Sequence, residues 1–110
     1  MRIDWRSLQH RIPSRVQIAA GQYYDIVWVS DFNGQDLCGT TTFDPKVITV
    51  KMGMSPKLTV ETYLHEVCHA FSEEFDIKLT ENQVLKMEKA MPYLLKDDNL
   101  FRPKRAVKKK

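Results

Sequence analysis

Val60-Glu61-Thr62-Tyr63-Leu64-His65-Glu66-Val67-Cys68-His69-Ala70-Phe71-Ser72-Glu73-Glu74-Phe75 decides how the rest of the chain must be arranged. Val60, Leu64, Val67, Phe71 and Phe75 fall at i, i+4, i+7, i+11 and i+15, the spacing of an amphipathic helix of about four turns. Thr59 is placed to cap that helix, and Glu61 then sits in the first turn, where a carboxylate complements the helix dipole. His65 and His69 are four apart, so their imidazoles project from one face on successive turns.

Outward toward the C-terminus, Thr80-Glu81-Asn82-Gln83 opens a second helix with a capping box, in which Gln83 reaches back to the cap. Val84, Met87, Met91, Leu94 and Leu95 continue its apolar stripe, and Pro92 is expected to kink it or end its regular part. Toward the N-terminus the period changes from helical to alternating. Lys46 to Met52 sets Val47, Thr49 and Lys51 against Ile48, Val50 and Met52 and reads as a strand. Leu37 to Phe43, with Thr40, Thr41 and Thr42, reads as another, joined to it by a turn at Asp44-Pro45. Tyr24 to Val29 is β-branched and aromatic, and the following Asn33-Gly34 favours a turn with positive φ. Arg15 to Ala20 alternates as a half-buried strand does, and Asp4 caps a short helix carrying Trp5, Leu8 and Ile12. Consecutive strands with short links suggest an antiparallel meander, and strands followed by a helical pair give an α+β class.

The chain has 110 residues, enough for one domain. Its net charge of +3 hides an asymmetry: six of the 17 Lys and Arg lie in residues 102–110, which carry no acid. Residues 1–101 then hold 11 basic against 14 acidic groups, a net −3. We read 1–101 as the domain and Arg102 to Lys110 as a basic, disordered tail. Such a run aids solubility, and its alternative use is weak nucleic-acid contact by phosphate neutralisation. No apolar run approaches the ~20 residues needed to span a bilayer, and Asp4 and Arg6 spoil a signal peptide, so a cytoplasmic protein without membrane partners is expected. Cys38 and Cys68 are then expected as reduced thiols.

The pair of histidines carries the chemistry. Two imidazoles one helical turn apart can both ligate Zn²⁺ at roughly 2.0–2.1 Å. Glu66 points beside such an ion, where a carboxylate can take a proton from activated water. A chance HExxH in a chain this short is expected in roughly fewer than one sequence in a hundred. The motif supplies two ligands, and a catalytic zinc usually has three from protein. Candidates for the third are Glu73, Glu74, Asp76, Glu81 and Glu88, with His10 and a cysteine behind them. Glu73 lies two turns from His65, too far for a compact tetrahedron. Glu81 and Glu88 both flank the second helix's apolar stripe and stay open at this point. Cys68 is either a ligand or redox thiol or, more simply, a small core residue.

Glu61 to Ala70 resembles the active-site helix of zincin metallopeptidases. The setting, with a late strand at Lys46 to Val50, Thr62-x-x-His65-Glu66-x-x-His69-Ala70 and a helix start at Leu79 to Val84, is similar to small phage-type zinc metallopeptidases distantly related to SprT-like and ImmA/IrrE-like domains. The resemblance spans roughly Tyr24 to Leu95. It implies a minimal zincin-like fold, a sheet of three to four strands, antiparallel or mixed, packed on the HExxH helix and a second helix. It also implies Zn²⁺ held by His65, His69 and Glu81, with Glu66 as catalytic base, and a host cytoplasm if the chain is phage-encoded. Tyr63 and Tyr93 are the phenols available to stabilise an oxyanion. The expected function is hydrolysis of peptide bonds by metal-activated water, a peptide or protein being the substrate. A peptide would lie along an edge strand, either Leu37 to Phe43 or Lys46 to Met52. The alternatives are an inactive zincin-fold binding module with structural zinc, or a nucleic-acid-associated protein acting through its tail.

Overall fold

A computed structural model describes residues 2–95. A short helix α1 (Trp5–His10) leads into strands β1 (Arg15–Ala19), β2 (Gln22–Val29), β3 (Gly39–Phe43) and β4 (Lys46–Lys51), and helices α2 (Pro56–Glu74) and α3 (Glu81–Leu95) follow. The class is α+β. Local signals set most of the boundaries. Asp4 Oδ1 accepts from the Ser7 amide at 3.1 Å and starts α1. Asn33 and Gly34 turn the chain after β2 with φ of 56° and 79°. The capping box at the start of α3 is complete: the Thr80 amide donates to Gln83 Oε1 at 2.8 Å, and the Gln83 amide donates to Thr80 Oγ1 at 3.1 Å.

The four strands form one sheet in the order β1-β2-β4-β3, antiparallel at β1/β2 and β3/β4 but parallel at β2/β4. The meander expected from the short links is therefore corrected. The link at residues 30–38 spans the width of one strand, and β4 enters the gap between β2 and β3. Side-chain chemistry gives the reason. Ile48 and Val50 are fully buried, as a strand flanked on both sides requires, whereas β3 carries three threonines and tolerates the edge. Lys46 to Met52 is thus not an edge, which leaves β3 alone on that side for strand addition.

One face of the sheet packs on α2, with Ile18, Tyr24, Ile26, Ile48 and Val50 meeting Val60, Leu64 and Val67, and Leu8 of α1 closing one end. Helix α2 starts four residues earlier than its apolar periodicity indicates. Ser55 Oγ, not Thr59, caps it by accepting from the Leu58 amide at 3.2 Å, and Pro56 occupies the first turn, where its missing N–H costs nothing. Thr59 lies buried inside the helix, and Glu61 is likewise buried beyond the first turn. The stripe also ends early, for Phe75 caps the helix and is 53% exposed. In its place Thr62, Tyr63, Glu66, Cys68 and Ala70 are buried, because the sheet, α1 and α3 cover α2 from several sides. Helix α3 runs past Pro92 to Leu95 and buries Val84, Glu88 and Pro92, while Leu94 and Leu95 are exposed. No helix among the described residues is long and apolar enough to cross a membrane. The basic run at 102–110 lies outside the described residues.

Candidate metal centre

Helices α2 and α3 form an antiparallel hairpin whose facing residues gather imidazoles and carboxylates. His65 Nε2 lies 3.2 Å from His69 Nε2, and Glu81 Oε1, from the first turn of α3, lies 2.9 Å from the former and 3.5 Å from the latter. Three donor atoms thus converge on one another among the described residues, with Glu81 exposed and the histidines half-buried. Four ligands at 2.0–2.2 Å around a tetrahedral ion are separated by about 3.3–3.6 Å. The observed triangle approximates one face of that tetrahedron, and the exposed side leaves room for a fourth position. A histidine–carboxylate hydrogen bond explains one of these contacts; it does not require both ring nitrogens to point at the same carboxylate oxygen.

The other nitrogen of His65 is also engaged. His65 Nδ1 lies 2.7 Å from Glu88 Oε1, about two turns beyond Glu81 on α3. Glu81 and Glu88 therefore do different things: the first faces the Nε2 atoms, and the second orients the ring from behind. A carboxylate accepting from Nδ1–H leaves Nε2 as the free lone pair, the tautomer a metal ligand needs. Behind Glu88, its Oε2 is 3.6 Å from Lys89 Nζ, which is also 3.3 Å from Glu61 Oε1 on α2. Hydrogen bonding to Glu61 holds the Lys89 ammonium above its ordinary range.

Cys68 is not among the convergent ligand atoms. Its Sγ contacts Met91 Sδ at 3.7 Å, and the side chain is fully buried. Burial, reinforced by the charge of Glu88, pushes the thiol up to about 11, so it is neutral near pH 7 and poorly nucleophilic. In the native protein a thiol reagent should label Cys38, which is half-buried, and leave Cys68 unmodified until denaturant is added. Mass mapping that finds both labelled at similar rates would contradict this placement.

Glu66 shares a cleft with His65 and Glu88. Its carboxylate is buried, with Oε1 accepting from the Thr41 hydroxyl of β3 at 2.6 Å, and it lines one cleft with His65, Glu88, Leu37, Gly39 and Leu58. Neither Thr41 nor Gly39 was legible as a site residue, because only the pairing of β3 brings them over α2. Gly39 is where the edge strand comes closest. A Cβ there would lie 2.8 Å from Thr62 Cγ2, 3.0 Å from the Thr49 carbonyl oxygen and 3.2 Å from Glu66 Cγ. Gly39→Ala must push β3 off the helix and should cost about 1–3 kcal/mol. Urea denaturation checks this, and an unchanged midpoint would mean the approach is looser than described. The sequence offers one faint hint, a glycine within the expected Leu37 to Phe43 strand, which can mark close backbone approach but does not say what approaches.

The remaining candidates lie elsewhere. Glu74 pairs with Lys46 Nζ at 2.6 Å and accepts from Tyr24 Oη at 2.7 Å, and these contacts hold its carboxyl below the usual range. Glu73 and Asp76 are exposed, and neither belongs to the convergent group. His10 lies with Trp28 and Met52 near the start of α2. Tyr63 packs toward α1, beside Leu8 and Ile12, and burial pushes its phenol up to about 12; Tyr93 is exposed. Compared with protein-family models, curated proteins and solved structures, the chain matches none.

Proposed function

We propose that the chain is a zinc-dependent hydrolase of peptide bonds, with the ion held by His65, His69 and Glu81. The observation that carries this reading is the 2.9, 3.2 and 3.5 Å triangle of Nε2, Nε2 and Oε1 atoms, which suits the face of a zinc tetrahedron. When bound, zinc supplies a Lewis acid that polarises a carbonyl and acidifies water. The chain's own residues do the rest. Glu66, buried and steadied by Thr41, takes the proton from the attacking water and passes it to the leaving amine. Strand β3, at the sheet edge beside Glu66, offers a backbone edge along which an extended peptide can add. The test is elemental analysis of the purified chain together with hydrolysis of a mixed peptide library before and after chelation. About one zinc per chain, with cleavage lost on chelation and restored by zinc, supports the reading. A chain that takes up no zinc overturns it.

One observation favours a second reading. The three donors bridge α2 and α3, so the ion would staple the two helices and contribute to folding. A purely structural zinc predicts a melting temperature that follows zinc with no turnover.

A further inference from the structure

Glu61, His65 and His69 form an i, i+4, i+8 ladder on one face of α2, and Glu88 and Lys89 of α3 dock against it. The Glu61 and Glu88 side chains are only 7% and 11% exposed, and Lys89, 62% exposed, sets its ammonium between them at 3.3 and 3.6 Å. A buried carboxylate is costly unless a cation or donor meets it. Glu88 uses one oxygen on His65 Nδ1 and presents the other to Lys89. Lacking the ammonium, two carboxylates of like charge would face each other behind the ring, and Glu88 would relieve the repulsion by turning toward solvent. His65 would then lose the acceptor that selects its tautomer and ring angle.

We infer that Lys89 is a positioning residue of the metal centre: bridging Glu61 and Glu88, it clamps Glu88 on His65 Nδ1 and so aims His65 Nε2 at the ion. This rests on the reading of His65, His69 and Glu81 as a zinc site. It assigns Lys89 a role that neither the HExxH motif nor the third ligand requires, and it makes the α2–α3 contact part of the metal affinity.

The test is a double-mutant cycle in zinc affinity, measured on the full chain by competition with a chromophoric chelator. Lys89→Met should weaken zinc about threefold to tenfold, and Glu88→Gln about tenfold to a hundredfold. In the double variant the losses should not multiply, since Lys89 acts only through Glu88. Lys89→Arg should restore near-native affinity. Because Lys89→Met strands Glu61, Glu61→Gln/Lys89→Met is measured beside it. With no second charge behind the ring, Glu88 should stay on His65 and zinc affinity should return toward native, and a loss as large as in Lys89→Met alone would overturn the inference. Native affinity in Lys89→Met, or losses that multiply with those of Glu88→Gln, would overturn the inference while leaving the zinc site intact. A native chain that binds no zinc would overturn both together.

Discussion

Glu66→Gln should lower peptide cleavage by about 10²–10⁴-fold while the chain keeps its full complement of zinc. The substitution is isosteric and removes only the ability to accept a proton. The amide oxygen of glutamine can still receive the Thr41 hydroxyl, so the contact between β3 and α2 persists and the fold is not expected to suffer. His65, His69 and Glu81 are untouched, and zinc content serves as the internal control. The quantity to measure is kcat/KM on a peptide that the native chain cleaves, with zinc determined on the same sample. Cleavage at the native rate by a zinc-loaded Glu66→Gln chain would eliminate Glu66 as the base and move the site toward the structural reading.

The second large effect is on the ion itself. His65→Ala, His69→Ala and Glu81→Ala should each reduce zinc from about one per chain to a small fraction, a loss of affinity on the order of a hundredfold or more. The same variants should lose thermal stabilisation by zinc. An ion bound only to the folded state contributes about 4 kcal/mol when its concentration is a thousand times Kd, and 1 kcal/mol moves the melting temperature of a domain this size by roughly 4–8 °C. Zinc should therefore raise the melting temperature of the native chain by some 15–30 °C at that saturation (roughly, from the same scaling) and do little for the three variants. Glu81 is the informative member. It is exposed and takes no part in the core, so Glu81→Ala should leave the metal-free melting temperature nearly unchanged. Full zinc uptake by Glu81→Ala would transfer the third position to another group and break the assignment of Glu88 to the rear of His65.

Much of this architecture could be read along the chain because it depends on neighbours in sequence. The imidazoles of His65 and His69 share a face since any α-helix places i and i+4 together. The start of α3 was legible because a capping box is complete within four residues, Thr80 to Gln83. The turn at Asn33-Gly34 follows from the ease with which those residues take positive φ. The start of α2 departs from the expected one for a related reason: apolar periodicity reports which residues meet the core, not where the backbone becomes helical, and the Ser55-Pro56 cap precedes the first core contact by a turn.

What the sequence by itself determined is the chemistry available: two histidines and a glutamate on one rigid helix, a second helix rich in acids, and enough β-branched residues for a small sheet. Which acid meets which nitrogen was decided only by tertiary packing. Glu81 and Glu88 are equivalent by spacing, and only the angle and depth at which α3 lies on α2 put the first on the Nε2 atoms and the second on Nδ1. The order of the strands was decided in the same way. Hydrophobic demand drew β4 to the centre and left β3 outside, which carried Gly39 and Thr41 over Glu66. Local rules act over about one turn of helix, whereas burial and charge pairing compare residues separated by a dozen positions or more, from His69 and Glu81 to Thr41 and Glu66. Those comparisons exist only once the chain has folded.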